Sequence, residues 1–320
     1  MGTITKRSTT KSVLLPLITL SLLAQDSNPL DPENQSAALL SLIDKTPKLA
    51  FERTRIGIPA EIGYPSAVAM GDDGLIYVLQ RGEKSDPVLV LNREGKIVRS
   101  WGKGLYKIPH SIRIDAQGNV WTVDSGSSMV LKFTPGGEKL MEISVGEQPA
   151  GRGSTNGTSD IAFGPQGRLF IADGYGNSRV LEYTSKGERV RRWGSRGNGP
   201  GQFQQPHGIA VDTAGIVYVA DRNNARVQRF NLAGRYLGEW NHLGKVTTVA
   251  FRGGALWIGT QLRTVPNEAD GWHLKLDRGT GKVLGYAVSG RSHHILNLNK
   301  RGELLSGARP DIAWWFRLSE

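Results

Sequence analysis

The sequence predicts an all-β chain arranged as a six-bladed β-propeller, and three observations carry the prediction. A pattern recurs six times along the chain, with starts 40 to 49 residues apart, at Ser66, His110, Ser159, His207, Thr247 and His294. Each start is followed two and four residues later by apolar residues, as in His207, Ile209 and Val211, and five of the six by a glycine eight residues later. Between the glycine turns the residues alternate apolar and polar, as half-buried strands do. A repeat of this length, built from short alternating strands and glycine turns, is the pattern of a ring of four-stranded blades.

The elements follow in chain order. Lys6, Arg7 and Lys11 precede an apolar run from Ser12 to Ala24, after which Gln25 to Pro32 is polar and turn-forming. A basic start, a short apolar core and a small residue at the cut describe a secretory signal over residues 1–24, too short to span a bilayer comfortably. The expected location is therefore secreted or periplasmic, with no stable membrane insertion after processing. Residues 25–48 read as a linker carrying a short helix from Ser36 to Asp44, and residues 49–320 as the propeller. In the fourth copy Gly208 to Val211 is the inner strand, Ile216 to Ala220 the second, Ala225 to Asn231 the third and Arg235 to Trp240 the outer one. Asp212 to Gly215 and Asn231 to Gly234 supply its turns, and the second and third copies repeat the scheme. The sixth copy has strands at Ile295 to Leu298, Glu303 to Gly307 and Ile312 to Leu318, and then lacks an outer strand. Leu49 to Ile56, just ahead of the first copy, is the expected donor that closes the ring.

Composition narrows the function classes. The chain has no cysteine, which excludes disulfides, thiolate metal sites and cysteine nucleophiles. Its formal net charge is +11, and about +8 without the three basic residues of the signal. A basic surface attracts anionic small substrates, nucleic acid or anionic lipid. Much of the excess sits in outer-strand segments such as Arg189 to Arg192, read as solvated edges that discourage sheet-to-sheet pairing.

The three histidines of the repeat, His110, His207 and His294, occupy its first position in every second copy. In a six-membered ring, alternate copies are related by a rough threefold axis, so the three imidazoles would converge on the channel. Three histidines with an open fourth position outline a catalytic zinc site. His293 adjoins His294 and competes for the third place, but the eight-residue spacing to Gly302 selects His294. His242 and His273 fall outside the register and read as structural. Asp124, Asp173 and Asp221, each fourteen residues after a repeat start, read as acceptors for backbone amides at strand ends.

Gly194 to Phe203, followed by Gln205-Pro-His-Gly-Ile-Ala-Val-Asp212 and Ala220 to Gln228, resembles the signature of NHL repeats. Asp173-Gly-Tyr-Gly-Asn-Ser-Arg179, Pro109-His-Ser-Ile112 and Gln80-Arg-Gly82 are similar to motifs of the peptidyl-α-hydroxyglycine α-amidating lyases, and the likeness covers residues 50–310. The resemblance implies that His110, His207 and His294 hold zinc, that Tyr175 is the catalytic base, and that Arg81 and Arg222 surround the substrate. The register agrees: Arg81 and Arg222 each lie fifteen residues after a repeat start, and Tyr175 sixteen after another. The implied activity is a carbon–nitrogen lyase that cleaves peptidyl-α-hydroxyglycine, or a related carbinolamide, to an amide and glyoxylate. Tyr175 is expected to be stabilised as phenolate beside a cation and two guanidinium groups. The implied partner is a small-molecule or peptide substrate with a terminal carboxylate, which an arginine fork suits; nucleic acid is not expected.

Departures from the family pattern are specific. The paired cysteines of the animal enzymes are replaced here by Gly176 and Arg229. The family's structural calcium uses an aspartate directly after the third histidine, and this chain has Ile295 there. Two other classes compete with the lyase: a non-catalytic NHL-repeat binding propeller presenting peptide or RNA, and a metal-dependent propeller hydrolase of the lactonase type. The latter's calcium wants oxygen ligands rather than imidazoles, so bound zinc would favour the lyase over both.

Overall fold

The computed structural model describes residues 1, 32–57, 59, 62–147, 157–262, 271–290, 294–308 and 312–318. The expected signal at residues 1–24 and His293 lie outside them. Among the described residues the strands form six four-stranded antiparallel sheets and one two-stranded ribbon, so the chain is an all-β propeller. The innermost strands of the sheets are Pro65–Met70, Pro109–Ile114, Asp160–Phe163, Pro206–Val211, Thr248–Arg252 and Leu296–Leu298. Each contacts the next in that order, and the last contacts the first. Phe51–Ile56 pairs antiparallel with Ile312–Leu318, from Phe51 opposite Leu318 to Ile56 opposite Ala313. That pairing makes the sheet of Leu296–Leu298 a product of both ends of the chain, because the segment after Leu298 supplies two further strands only.

Alternation explains the packing. Inner and second strands are buried over most of their length, as in Pro206–Val211 and Leu169–Asp173, whereas the outer strands Ile97–Trp101 and Arg189–Trp193 are exposed except at their tryptophans. Those tryptophans face the neighbouring sheet. A Cβ on Gly137 would lie 2.7 Å from Trp101, one on Gly234 2.8 Å from Trp193, and one on Gly281 2.4 Å from Trp240. The turn glycine of each following sheet is therefore the floor on which an indole lies. All three also have positive φ, where an L side chain would be strained.

The helix α1 runs from Pro32 to Asp44, four residues longer at its start than expected, with a proline in its first turn where the missing N–H costs nothing. Leu39 is fully buried and, with Leu42 and Ile43, packs on the cluster of Trp240, Leu243 and Trp272. These positions at i, i+3 and i+4 form one helix face. The donor strand begins at Phe51 rather than Leu49, and Ala225 leaves the third strand of its sheet for a left-handed turn at φ 54°. The arginine edge is exposed, as expected, and it also carries ion pairs. Arg189 and Arg192 reach Glu147 at 2.9 and 3.0 Å, and Arg191 reaches Glu182 at 2.7 Å.

Candidate active site at the inner ends of the sheets

Backbone irregularities place the repeat-start residues. The pairing of inner and second strands shifts register between Pro65 and Ala67, Pro109 and Ser111, and Pro206 and Gly208. Ser66, His110 and His207 are thus the extra residues of β-bulges, and a bulge re-aims its side chain. His294 sits two residues ahead of its strand. The three imidazoles meet, with ring centroids 4.6 to 5.2 Å apart and one ligand atom from each within 4.8 Å of the others.

The intervening copies hold them in place. His110 Nδ1 lies 2.6 Å from the Ser159 carbonyl, His207 Nδ1 2.6 Å from that of Thr247, and His294 Nδ1 3.1 Å from that of Ser66. Ser66, Ser159 and Thr247 are the repeat starts of the odd copies, so each histidine donates to the backbone of the equivalent position in the next sheet round. A carbonyl accepts only, which fixes the proton on Nδ1 and leaves Nε2 as a lone pair. Burial, then the mutual repulsion of the rings, holds His110 well below the ordinary histidine pKa, and burial and His294 do the same for His207. Both are therefore neutral imidazoles.

Tyr175 joins the cluster. Its hydroxyl lies 2.8 Å from His110 Nε2 and 2.9 Å from His207 Nε2. The loop carrying it is pressed onto the inner strand of the next sheet: a Cβ on Gly174 would stand 1.8 Å from the Pro206 carbonyl oxygen, so only glycine permits the approach. One phenol proton faces two imidazole lone pairs, and one of them is left against an oxygen lone pair. A cation at that point relieves the mismatch, and three imidazole nitrogens suit zinc among the transition metals. The residues present fit such a metal. The expected phenolate is not what the protein alone favours, because burial pushes the Tyr175 hydroxyl up, outweighing Arg222 and Arg81, which pull it down.

Both arginines lie close enough to Tyr175 to act on its charge. Arg81 donates Nε to Ser66 Oγ at 2.7 Å and to the Pro109 carbonyl at 2.9 Å, with its guanidinium carbon 5.0 Å from the Tyr64 ring centroid. Tyr64 in turn lies 6.5 Å from the His294 ring, centroid to centroid. Arg222 donates Nη1 to Gln205 Oε1 at 3.0 Å, while its Nε is buried with no partner. Asp221, directly before it, is committed to Arg226 at 2.9 Å. Burial accordingly lowers the Arg222 pKa, and a buried guanidinium short of acceptors is a site for a carboxylate.

Tyr64 and Gln205 were not singled out by the sequence. Gln205 has φ 82°, rare for a residue other than glycine, and its amide oxygen accepts from both Arg222 and Asn223. Two of the three strand-end aspartates act as backbone acceptors, Asp124 taking Lys107 N at 3.1 Å and Asp221 taking Gln204 N at 2.8 Å, while Asp173 takes the side chains of Asn177 and Arg179 at 3.0 and 2.8 Å. His273 is buried 3.3 Å from Ser306 Oγ. His242 lies outside the cluster.

The channel axis behind the histidines is filled from within. Three residues after each repeat start come Ala69, Arg113, Ala162, Ala210, Ala250 and Asn297. Four small side chains leave room for one guanidinium and one amide. Arg113 donates Nε to Asp160 Oδ1 at 2.9 Å, its Nη2 to Asp160 Oδ2, and Nη1 to Leu296 O at 2.5 Å and Asn297 Oδ1 at 3.0 Å. Asn297 Nδ2 donates to Val68 O and Ile112 O at 2.8 and 3.1 Å, and Ile209 N donates to Asp160 at 3.3 Å. Beyond this plug the inner strands line a cavity of about 260 Å³ that includes Ala69, Ile114, Phe163 and Phe251. Ile295 is fully buried among Ala67, Leu79 and Ile112 and supplies no carboxylate, and Asp160 is matched by Arg113.

The described sheets thus form an all-β propeller that carries a three-histidine cluster beside a tyrosine and two arginines. The NHL repeat model matches residues 203–230. The chain is 29% identical over 279 residues to a probable peptidyl-alpha-hydroxyglycine alpha-amidating lyase of Caenorhabditis elegans, covering 76% of this chain and 79% of that protein. It is 34% identical over 259 residues to the peptidyl-glycine alpha-amidating monooxygenase of Mus musculus, covering 74% of this chain and spanning 26% of that longer protein. Among solved structures, virginiamycin B lyase from Staphylococcus aureus superposes with a TM-score of 0.59 at 14% identity, covering 85% of this chain and all of that one, a likeness of fold alone.

Proposed function

We propose that the protein is a zinc-dependent carbon–nitrogen lyase that cleaves peptidyl-α-hydroxyglycine, or a related carbinolamide, to a carboxamide and glyoxylate. The six sheets are then six blades of a ring closed by the Phe51–Ile56 strand, which sets His110, His207 and His294 at alternate places around it. The convergence of these three imidazoles on the Tyr175 hydroxyl carries the reading, and the relatives' names agree with it. His110, His207 and His294 would hold the metal through Nε2. When bound, zinc supplies Lewis acidity beside the substrate hydroxyl and lowers the pKa of groups around it.

The chain's own residues do the rest. Arg222, with its unpartnered Nε, and Arg81, braced on Ser66 and Tyr64, receive the substrate carboxylate. Tyr175 takes the hydroxyl proton. The oxygen's electron pair forms the carbonyl of glyoxylate, the C–N bond breaks, and the proton passes to the departing nitrogen to give the carboxamide. Nothing is oxidised or reduced. Gly174 keeps the phenol over His207, and Gln205 keeps Arg222 in place. Read as a secretory signal, residues 1–24 would direct this activity to exported peptides.

The test is conversion of α-hydroxyhippurate to benzamide and glyoxylate. Tyr175→Phe keeps the ring and removes the ionisable oxygen, so turnover should fall by about 10²-fold or more with metal still bound. Unchanged turnover would remove Tyr175 from the mechanism, and no glyoxylate from any hydroxyglycine amide would leave a binding propeller.

A further inference from the structure

Beside Tyr175 a groove runs outward that neither the metal cluster nor the two substrate arginines use. Its inner part is a cavity of about 150 Å³ lined by Tyr175, Gly176, Ser178, Arg196, Gln205 and Asn223, among others. Its outer part, of about 400 Å³, is lined by Asn177, Arg179, Arg192 and Ser195, and shares Gly176, Ser178 and Arg196 with the first. The two are therefore continuous, with the proposed base at one end and solvent at the other.

One wall is the Gly174–Ser178 loop. The other is a short parallel ribbon in which Ser195 and Arg196 pair with Gln202 and Phe203. This ribbon is internally braced: Gly199 N donates to Gln202 Oε1 at 3.0 Å, and Arg226 reaches the carbonyls of Asn198, Gly199 and Gln202 at 2.8 to 3.0 Å. Arg196 is thus held on a built edge while its side chain is exposed.

Charge separates Arg196 from its neighbours. Arg179 is matched by Asp173 and Glu147, at 2.8 and 2.6 Å, and Arg192 by Glu147 at 3.0 Å. Arg196 has no carboxylate within salt-bridge reach among the described residues, so an unmatched guanidinium stands where the two parts of the groove join. Wall groups Ser178, Gln205 and Asn223 are polar, which suits a peptide backbone rather than an apolar chain.

Resting on the lyase reading, we propose that the groove holds the peptide on the amide side of the scissile bond, and that Arg196 selects an acidic side chain on the residue directly preceding the hydroxyglycine. With the carboxylate of the substrate at Arg222 and Arg81 and its hydroxyl at Tyr175, the nitrogen and the preceding residue leave along this groove. Arg196 is a specificity-determining residue there, and takes no part in the bond cleavage.

The experiment compares N-acetyl-glutamyl-α-hydroxyglycine with N-acetyl-lysyl-α-hydroxyglycine in the full-length protein and in Arg196→Glu, with a thermal melt to show that the variant folds. A second measurement needs no catalysis: binding of fluorescently labelled glutamyl and lysyl peptide amides, the products. A preference for glutamate of about two- to fivefold in kcat/KM and in Kd, inverted in Arg196→Glu, is the expected result. Equal values for the two peptides, or a preference that Arg196→Glu leaves unaltered, would overturn the assignment. If the wild-type protein binds the glutamyl amide preferentially but forms no glyoxylate from either peptide or from α-hydroxyhippurate, the lyase reading fails and the groove stands.

Discussion

Replacing Arg113 by alanine removes the cation from the channel axis and leaves the fully buried Asp160 carboxylate facing only the amides of Ile161 at 2.9 Å and Ile209 at 3.3 Å. Asn297 Oδ1 and Leu296 O lose their donor at the same time. Breaking a buried ion pair from one side costs about 3 to 5 kcal/mol, because a charge stays behind without its partner. Arg113 ties the inner strands of the second, third and sixth sheets, so the loss should be felt by the whole ring. At roughly 2 to 4 °C per kcal/mol for a domain of this class, the melting temperature should fall by about 6 to 20 °C. Arg113→Met combined with Asp160→Asn removes both charges and should recover part of the loss. The assay is thermal unfolding followed by circular dichroism, run in calcium and in a calcium chelator. Wild type should melt alike in both, since the Asp160 carboxylate is already paired with Arg113. An Arg113→Ala variant within about 1 kcal/mol of wild type, or a wild-type melting point that rises with calcium, would refute the reasoning.

Other expectations follow from single contacts. His207→Ala should lose most of the roughly one equivalent of zinc expected on the purified protein, measured by elemental analysis; retention would count against the site. Gly174→Ala drives a methyl into the Pro206 carbonyl and should cost at least about 1 to 3 kcal/mol while displacing Tyr175, so turnover falls more than the melting point accounts for. Ser159→Ala should cost only about 1 kcal/mol and spare metal binding, because His110 is held by the Ser159 backbone carbonyl and the hydroxyl serves other carbonyls. Glu147 is held down from 4.5 to about 2 by Arg189 and Arg179. Its contribution to stability is therefore present above about pH 4.5 and lost as pH falls toward about 2; in acid titrations Glu147→Gln should lack that component, and salt should shrink it in wild type.

Much of the site was legible in the chain because a repeat converts sequence distance into position. Residues at one register occupy equivalent places, so three histidines in alternate copies announce a convergence, and Arg81, Arg222 and Tyr175 share a rim by the same count. The run of residues at register plus three, alanine but for Arg113 and Asn297, was equally present in the letters. Its meaning depends on knowing that this register points at the axis, where a bulge at the repeat start has shifted the pleat. The helix start and the pairing of Arg189 and Arg192 with Glu147 were not legible, since local composition does not say which distant side chain arrives.

The sequence by itself determined the period, the all-β class and the segment that pairs with Ile312–Leu318, all of which follow from local alternation and spacing. Only the tertiary structure decided that each histidine is locked by the backbone of the next odd copy, that Tyr175 shares its single proton between two imidazoles, that Gln205 and Tyr64 brace the arginines, and that Arg113 closes the axis. These contacts run between sheets. They depend on the rotation from one sheet to the next and on carbonyl groups that every residue carries alike, and no pattern of side chains along one strand encodes either.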